Sequence, residues 1–168
     1  MSINLYIDSG VNNLGYAIGG REGLLHSGVQ TVPRLTRVSH WTRKCDIQGE
    51  LLCEKLADLG LFNTVYTVFI EVPSVWEGNA ISKAASAKGD LMKLTWSAGV
   101  LAGYLSATGV FERGGIKDVF PYQWKGQLSK QNVITRIRRH LPEQFGSNPP
   151  RDHEADAIGI YLWNMGKL

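Results

Sequence analysis

The chain has 168 residues, of which 43% are hydrophobic and 20% charged, and its net charge is +3. This composition is typical of a globular protein and excludes extended disorder as the dominant state. No run of about 18 consecutive apolar residues is present, and no basic segment followed by an apolar one opens the chain. We therefore expect neither a transmembrane helix nor a secretory signal, and we expect one domain over residues 1–168.

The first part of the chain predicts three antiparallel strands. Apolar and polar side chains alternate over Ile3–Ile7, a pattern typical of a strand. Two more strands are predicted over Leu14–Ile18 and Leu24–Thr31, with Gly19 and Gly20 as the turn between them. Such short connections favour a meander, in which each strand pairs with the next one along the chain.

The rest of the chain predicts helices that alternate with two strands. Apolar residues recurring every three or four positions indicate the helices, and a continuous apolar run indicates a strand buried on both faces. The predicted helices span Trp41–Leu59, Lys88–Leu105, Gln131–Leu141 and Asp152–Trp163, and the predicted strands span Val65–Ile70 and Ile116–Phe120. This order predicts an α/β fold with a mixed sheet flanked by helices.

Cysteine spacing and charge distribution narrow the class of protein. Cys45 and Cys53 form no CxxC pair, which argues against a zinc ribbon or a disulfide scaffold and favours reduced thiols in a cytoplasmic protein. Residues 23–45 and 119–142 contain cations but no acid. Both stretches are compatible with a surface that binds a polyanion, and also with an ordinary solvated face.

Three acids that are distant in sequence fall at informative places. Asp8 ends the first predicted strand, Glu71 ends the fourth, and Asp156 lies in the first turns of the last helix. If the first and fourth strands are neighbours, the three carboxylates converge at one end of the sheet. Converging carboxylates repel one another unless a cation neutralises them, and hard oxygen ligands suit Mg²⁺ or Mn²⁺. Two such ions, about 3.5–4 Å apart, support phosphodiester hydrolysis.

The same acids have structural alternatives. Asp8 also suits a turn, and Asp156 suits a helix N-terminus because of the helix dipole. A fourth ligand is left open by spacing, since at about 100° per residue both Asp152 and His153 lie near Asp156. Glu154 points away from them, and Asp152 is equally suited to cap the helix.

Short segments in the right order resemble the motifs of RuvC-type Holliday junction resolvases. Ile7-Asp8-Ser9-Gly10 with Gly15-Tyr16 resembles the first motif of that family, and Ile70-Glu71 resembles the second. The stretch from Ala85-Ser86-Ala87 through Gly99-Val100-Leu101-Ala102-Gly103 resembles the central helix. His153-Glu154-Ala155-Asp156-Ala157 resembles the closing motif, in which an acid or a histidine precedes the last aspartate by three positions. Ser9 departs from the family, in which proline is common at this position.

The resemblance implies a ribonuclease H-like fold with a five-stranded sheet, a homodimer, and metal-dependent cleavage of two opposed strands of a four-way DNA junction. It implies two Mg²⁺ or Mn²⁺ ions held by Asp8, Glu71, His153 and Asp156, and so it favours His153 over Asp152.

The resemblance also bears on DNA contacts. Lys125 and Lys130 match basic positions near the family's active site, and Trp76 lies in the loop where family members place an aromatic residue that stacks at the junction. An ordinary packing role is the alternative for Trp76. The cations expected to bind DNA are Lys125, Lys130, Arg136, Arg138 and Arg139.

The dimer interface is expected on the central helix, where Gly99 and Gly103 leave room for a close backbone. The alternative is that these glycines admit a neighbouring helix of the same chain.

Three other functions compete with junction resolution. Another ribonuclease H-like nuclease, acting on flaps, branched DNA or RNA–DNA hybrids, would use the same carboxylates. An actin-like or sugar-kinase ATPase also begins with Asp-x-Gly after a strand, but it needs two such domains, and no GxxxxGK[ST] loop is present. A non-catalytic junction-binding protein is disfavoured because every expected metal ligand is retained.

Overall fold

The computed structural model describes residues 2–33, 41–74, 88–111 and 114–168, with the backbone alone for residues 41 and 42. Within these ranges the strands are β1 (Ile3–Ser9), β2 (Asn13–Gly20), β3 (Gly23–Thr31), β4 (Val65–Glu71) and β5 (Ile116–Val119). They form one sheet in the order β3-β2-β1-β4-β5. The first three strands pair antiparallel, whereas β4 runs parallel to β1 and β5 runs parallel to β4. The predicted mixed five-stranded sheet is confirmed.

The hairpin between β2 and β3 differs from the prediction. Gly20 pairs with Gly23, so the turn is Arg21-Glu22 and the two glycines predicted to form it lie within β2. A Cβ on Gly20 would lie 2.5 Å from the carbonyl oxygen of Ser2. The glycine is therefore needed because the start of the chain passes close to the strand, and not because the backbone turns there.

The helices flank the sheet on both faces. They are α1 (Trp41–Asp58), α2 (Asp90–Thr108), α3 (Pro121–Trp124), α4 (Lys130–His140), α5 (Pro142–Phe145) and α6 (Asp152–Asn164). The single-turn helices α3 and α5 were not predicted, although each begins with a proline, whose fixed φ favours the first helical position. None of the helices in the described ranges is long and apolar enough to span a membrane.

The pleat of the central strand divides the core into two layers. Leu5 and Ile7 of β1 point to one face and pack in the cluster that includes residues of α1 and α2. Tyr6 points to the other face and packs in the cluster that includes residues of α4 and α6. This alternation is the two-residue period of a strand. β4 departs from the predicted burial at its start, where Tyr66 is 45% exposed.

Candidate active site

The carboxyl ends of β1 and β4 bring two of the predicted acids side by side. Ile7 pairs with Ile70 in parallel register, so Asp8 and Glu71 follow at the same edge of the sheet. The Ser9 hydroxyl donates a hydrogen bond to the main-chain carbonyl of Glu71 at 3.3 Å, which ties the two strand ends together. The predicted convergence therefore rests on neighbouring parallel strands, whose ends meet at one edge.

The last helix approaches this edge through a glycine. Gly15 of β2 lies opposite Asp8 in the antiparallel register. A Cβ on Gly15 would lie 2.0 Å from the carbonyl oxygen of His153 and 2.3 Å from its carbonyl carbon. Only glycine thus lets the backbone of α6 come this close to the sheet. A glycine inside a strand is the sequence signal for such an approach, but the sequence does not say which element approaches.

His153 contacts Asp8 directly. Its Nδ1 lies 2.7 Å from Oδ2 of Asp8, and the two side chains are 33% and 13% exposed. The hydrogen bond to Asp8 raises the pKa of His153, although partial burial opposes the shift. The structure thus brings His153 to the edge where Asp8 lies.

Asp152 and Lys130 form a separate contact at the start of α6. Asp152 is 79% exposed, and its Oδ1 lies 3.0 Å from Nζ of Lys130. The same ammonium lies 2.6 Å from Oδ2 of Asp156. Lys130, expected at the DNA surface, is therefore paired with acids in this structure, and Asp152 contacts a lysine rather than Asp8.

Asp8, Glu71 and Asp156, here called the acidic cluster, influence one another electrostatically. Burial raises the pKa of Glu71 to about 8, with a further contribution from Asp8 and Asp156 and an opposing one from Lys125. Burial also raises the pKa of Asp156, while Lys125 and Lys130 oppose the shift and Asp8 adds to it. Since burial and the neighbouring acids disfavour the ionised forms of Glu71 and Asp156, a bound cation would stabilise those charged forms.

Trp124 is a site residue that sequence reasoning missed. Its Nε1 donates a hydrogen bond of 2.7 Å to Oε2 of Glu71, and its ring is buried. A Cβ on Gly159 of α6 would lie 2.2 Å from the ring, so this glycine makes room for it. Trp124 therefore links Glu71 on the sheet to the helix that carries Asp156. No local pattern signals this contact, because the two partners are 53 positions apart.

Gln48 of α1 is a second residue that the sequence did not reveal. It is fully buried, and its Nε2 donates a 2.8 Å hydrogen bond to the carbonyl of Gly10, directly after the end of β1. Its Oε1 is buried without a hydrogen-bond partner among the described residues. Gln48 thus supports the turn that follows Asp8.

The predicted DNA-binding cations occupy two places. Nζ of Lys125 lies 5.0 Å from the centroid of the Trp124 ring, beside the acidic cluster. Lys130 also lies at this cluster, against Asp156. The remaining three cations, here called the α4 arginines, are Arg136, Arg138 and Arg139. Among them, Arg138 donates a hydrogen bond to the carbonyl of Gly146 at 2.5 Å. Trp76 lies outside the described residues.

The donors suit a divalent cation in type and charge. Within the described ranges, no group of three or more His, Cys, Asp or Glu side chains is already arranged to hold a metal ion. However, the acidic cluster offers hard oxygen ligands, and Oδ1 of Asp156 is buried without a hydrogen-bond partner there. One oxygen of each acid is already in contact with a side chain: Oδ2 of Asp8 with His153, Oε2 of Glu71 with Trp124, and Oδ2 of Asp156 with Lys130. The residues therefore fit a metal chemically, while their present contacts are with the chain's own donors.

Comparison with solved structures identifies a similar fold. The structure of T. thermophilus RuvC in complex with a Holliday junction substrate matches with a TM-score of 0.65 and 19% identity, covering 97% of this chain and 92% of that one. A further Thermus thermophilus RuvC structure matches with a TM-score of 0.63 and 20% identity, covering 98% and 97%. No family model matches the sequence, and no curated protein matches it. The chain thus has a RuvC-like fold of the ribonuclease H type, as the sequence motifs predicted.

Proposed function

We propose that the chain is a metal-dependent endonuclease of the cytoplasm that resolves four-way DNA junctions by paired symmetric nicks. One observation carries the proposal: Asp8, Glu71 and Asp156 meet at the carboxyl ends of β1 and β4, where Asp8 raises the pKa of both other acids. The RuvC-like fold over nearly the whole chain supports the choice of substrate, since one matching structure holds a Holliday junction.

Asp8, Glu71, His153 and Asp156 would hold two Mg²⁺ or Mn²⁺ ions. When bound, such ions activate a water molecule and stabilise the leaving oxygen of a phosphodiester. Nδ1 of His153 contacts Asp8, so a neutral His153 would bind an ion through Nε2 while Nδ1–H donates to the carboxylate, the arrangement common for metal-binding histidines. Trp124 would keep the Glu71 carboxylate oriented towards the same place.

DNA would reach this site along the basic surface of α3 to α4. Residues 119–142 carry no acid, and Lys125 already lies beside the acidic cluster. Phosphate contacts by such cations position a nucleic acid without reading its sequence. We expect the α4 arginines to hold the duplex arms, and Trp76 to stack on a base at the junction.

A homodimer would place two active sites on the two opposed strands. The outer side of α2 supports this, because Met92 is 70% and Trp96 57% exposed. A Cβ on Gly99 or Gly103 of the same helix would meet no side chain and no other element within 4 Å among the described residues. The glycines therefore do not serve to admit a neighbouring helix from that part of the chain. A second copy of α2 would bury this surface.

The proposal is tested with a synthetic four-way junction, a flap and an RNA–DNA hybrid, each incubated with Mg²⁺, Mn²⁺ or a chelator. We expect paired nicks in the junction that the chelator abolishes. Asp8→Asn, Glu71→Gln and Asp156→Asn should each abolish nicking while junction binding persists, because each removes a charge with little change in volume. Cutting of the flap or hybrid in preference to the junction would instead assign the chain to another class of ribonuclease H-like nuclease. Wild-type rates in any of these variants would refute the metal-site assignment.

A further inference from the structure

Lys130 uses its entire hydrogen-bonding capacity on two acids of α6. Its Nζ lies 2.6 Å from Oδ2 of Asp156, 3.0 Å from Oδ1 of Asp152 and 2.5 Å from the main-chain carbonyl oxygen of Asp152. A lysine ammonium has three N–H donors, and here each has an acceptor. The side chain is 31% exposed, so solvent and a bound ligand can reach it.

The position of this lysine is unfavourable within its own helix. Lys130 is the first residue of α4, and the first turn of α4 contains no acid. A cation at a helix N-terminus opposes the helix dipole. The charge is compensated instead by the first turns of α6, which bring Asp152 and Asp156 to it. The ammonium is thus held in place by the same carboxylate that the proposed metal site requires.

The contact affects how Asp156 can bind a metal. Oδ2 of Asp156 accepts from Lys130, and Oδ1 is buried without a partner among the described residues. A divalent ion on Asp156 would lie next to the ammonium, and the two cations would repel each other at this separation.

We propose that Lys130 is an exchangeable counter-cation, which occupies Asp156 in the metal-free protein and transfers to a DNA phosphate when the site takes up metal. The inference rests on the proposed nuclease function and adds an order of events to it. A phosphate offers the same kind of charged oxygen acceptor as Asp156, and the flexible stem of a lysine allows the transfer without a movement of the helix. DNA and metal would then each strengthen the binding of the other, because linkage is reciprocal.

The first test measures Mn²⁺ binding to the metal-free protein by titration calorimetry, without DNA. Lys130→Met removes the charge and keeps much of the length, and it should tighten Mn²⁺ binding by about fivefold or more. Lys130→Gln is the second neutral variant and should act in the same direction, whereas Lys130→Arg retains the charge and should not tighten binding. Adding Asp156→Asn to the Lys130→Met variant should abolish this increase in Mn²⁺ affinity. Unchanged or weaker Mn²⁺ binding in both neutral variants would overturn the proposal.

The second test measures junction affinity with and without Ca²⁺, with the integrity of the DNA checked on a denaturing gel. Ca²⁺ should tighten binding by the wild type, and this effect should shrink in Lys130→Met. If Ca²⁺ tightened junction binding by Lys130→Met as much as by the wild type, the proposed transfer of Lys130 from Asp156 to a phosphate would be contradicted. The two proposals fail differently: if the wild type nicks the junction with Mn²⁺ but the neutral variants bind Mn²⁺ no more tightly, only the counter-cation role is refuted. If the wild type neither nicks the junction nor binds Mn²⁺ through Asp156, the nuclease assignment itself fails.

Discussion

Replacing Gly15 with alanine should separate α6 from the sheet and disable the site without replacing the side chain of any proposed ligand. The new Cβ would lie 2.0 Å from the carbonyl oxygen of His153, and real Cβ atoms essentially never come within 3.0 Å of such an atom. The obstacle is backbone, so the helix must recede by about 1 Å, the difference between these two distances. Overpacking of this kind costs about 1–3 kcal/mol of stability. A misplacement of about 1 Å in a catalytic group costs on the order of 10²-fold in rate.

The assay combines urea unfolding with junction cleavage at saturating metal. Gly28→Ala is the matched control, because it lies in the neighbouring strand and the three atoms nearest to its Cβ would all belong to the side chain of Tyr16, with the hydroxyl at 2.8 Å. That side chain has more freedom to adjust than a helix backbone, so the control should keep near-normal cleavage. Two results together would refute the reasoning. The first is a free energy of unfolding of Gly15→Ala within about 0.5 kcal/mol of the wild type, and the second is a cleavage rate reduced less than in Gly28→Ala.

Three further predictions concern the site and the surfaces around it. The hydrogen bond to Asp8 raises the pKa of His153. The contact between the two side chains should therefore stabilise the folded, metal-free protein in full below the unfolded pKa of His153, about 6.5. This stabilisation should disappear as the pH rises through the pKa that His153 has in the folded protein. The difference in Tm between wild type and His153→Gln should therefore shrink towards alkaline pH, and a constant difference would contradict it. Neutralising the α4 arginines should flatten the dependence of log Kd on log salt by roughly 0.9 for each DNA phosphate that these side chains neutralise in the wild type. Arg138 should contribute least, since it is bonded to backbone, and an unchanged slope would show that these residues face solvent. Gly99→Leu with Gly103→Leu should yield a folded monomer that makes single nicks, whereas a variant that stays dimeric by light scattering would exclude α2 as the interface.

Local patterns in the sequence were sufficient for the elements and for part of the site. Strand alternation, helical periodicity and the ends of apolar runs placed Asp8 and Glu71 at strand ends, and the order of elements predicted the mixed sheet. The convergence of these two acids required in addition that β1 and β4 be neighbours, which the structure supplied, because neighbouring parallel strands end at the same edge. The motif resemblance supplied the fold, which the structural comparison confirmed.

Contacts between distant elements were decided only by tertiary structure. Periodicity states which side of a helix is buried, but not which atom of another element meets it. The bond from Trp124 to Glu71 and the engagement of Lys130 by Asp156 join residues whose spacing along the chain carries no signal. The spacing of α6 also left two candidates for the fourth ligand. Gly15 shows the reason most directly: a missing side chain on β2 lets the helix backbone approach, and that approach brings His153 rather than Asp152 into contact with Asp8.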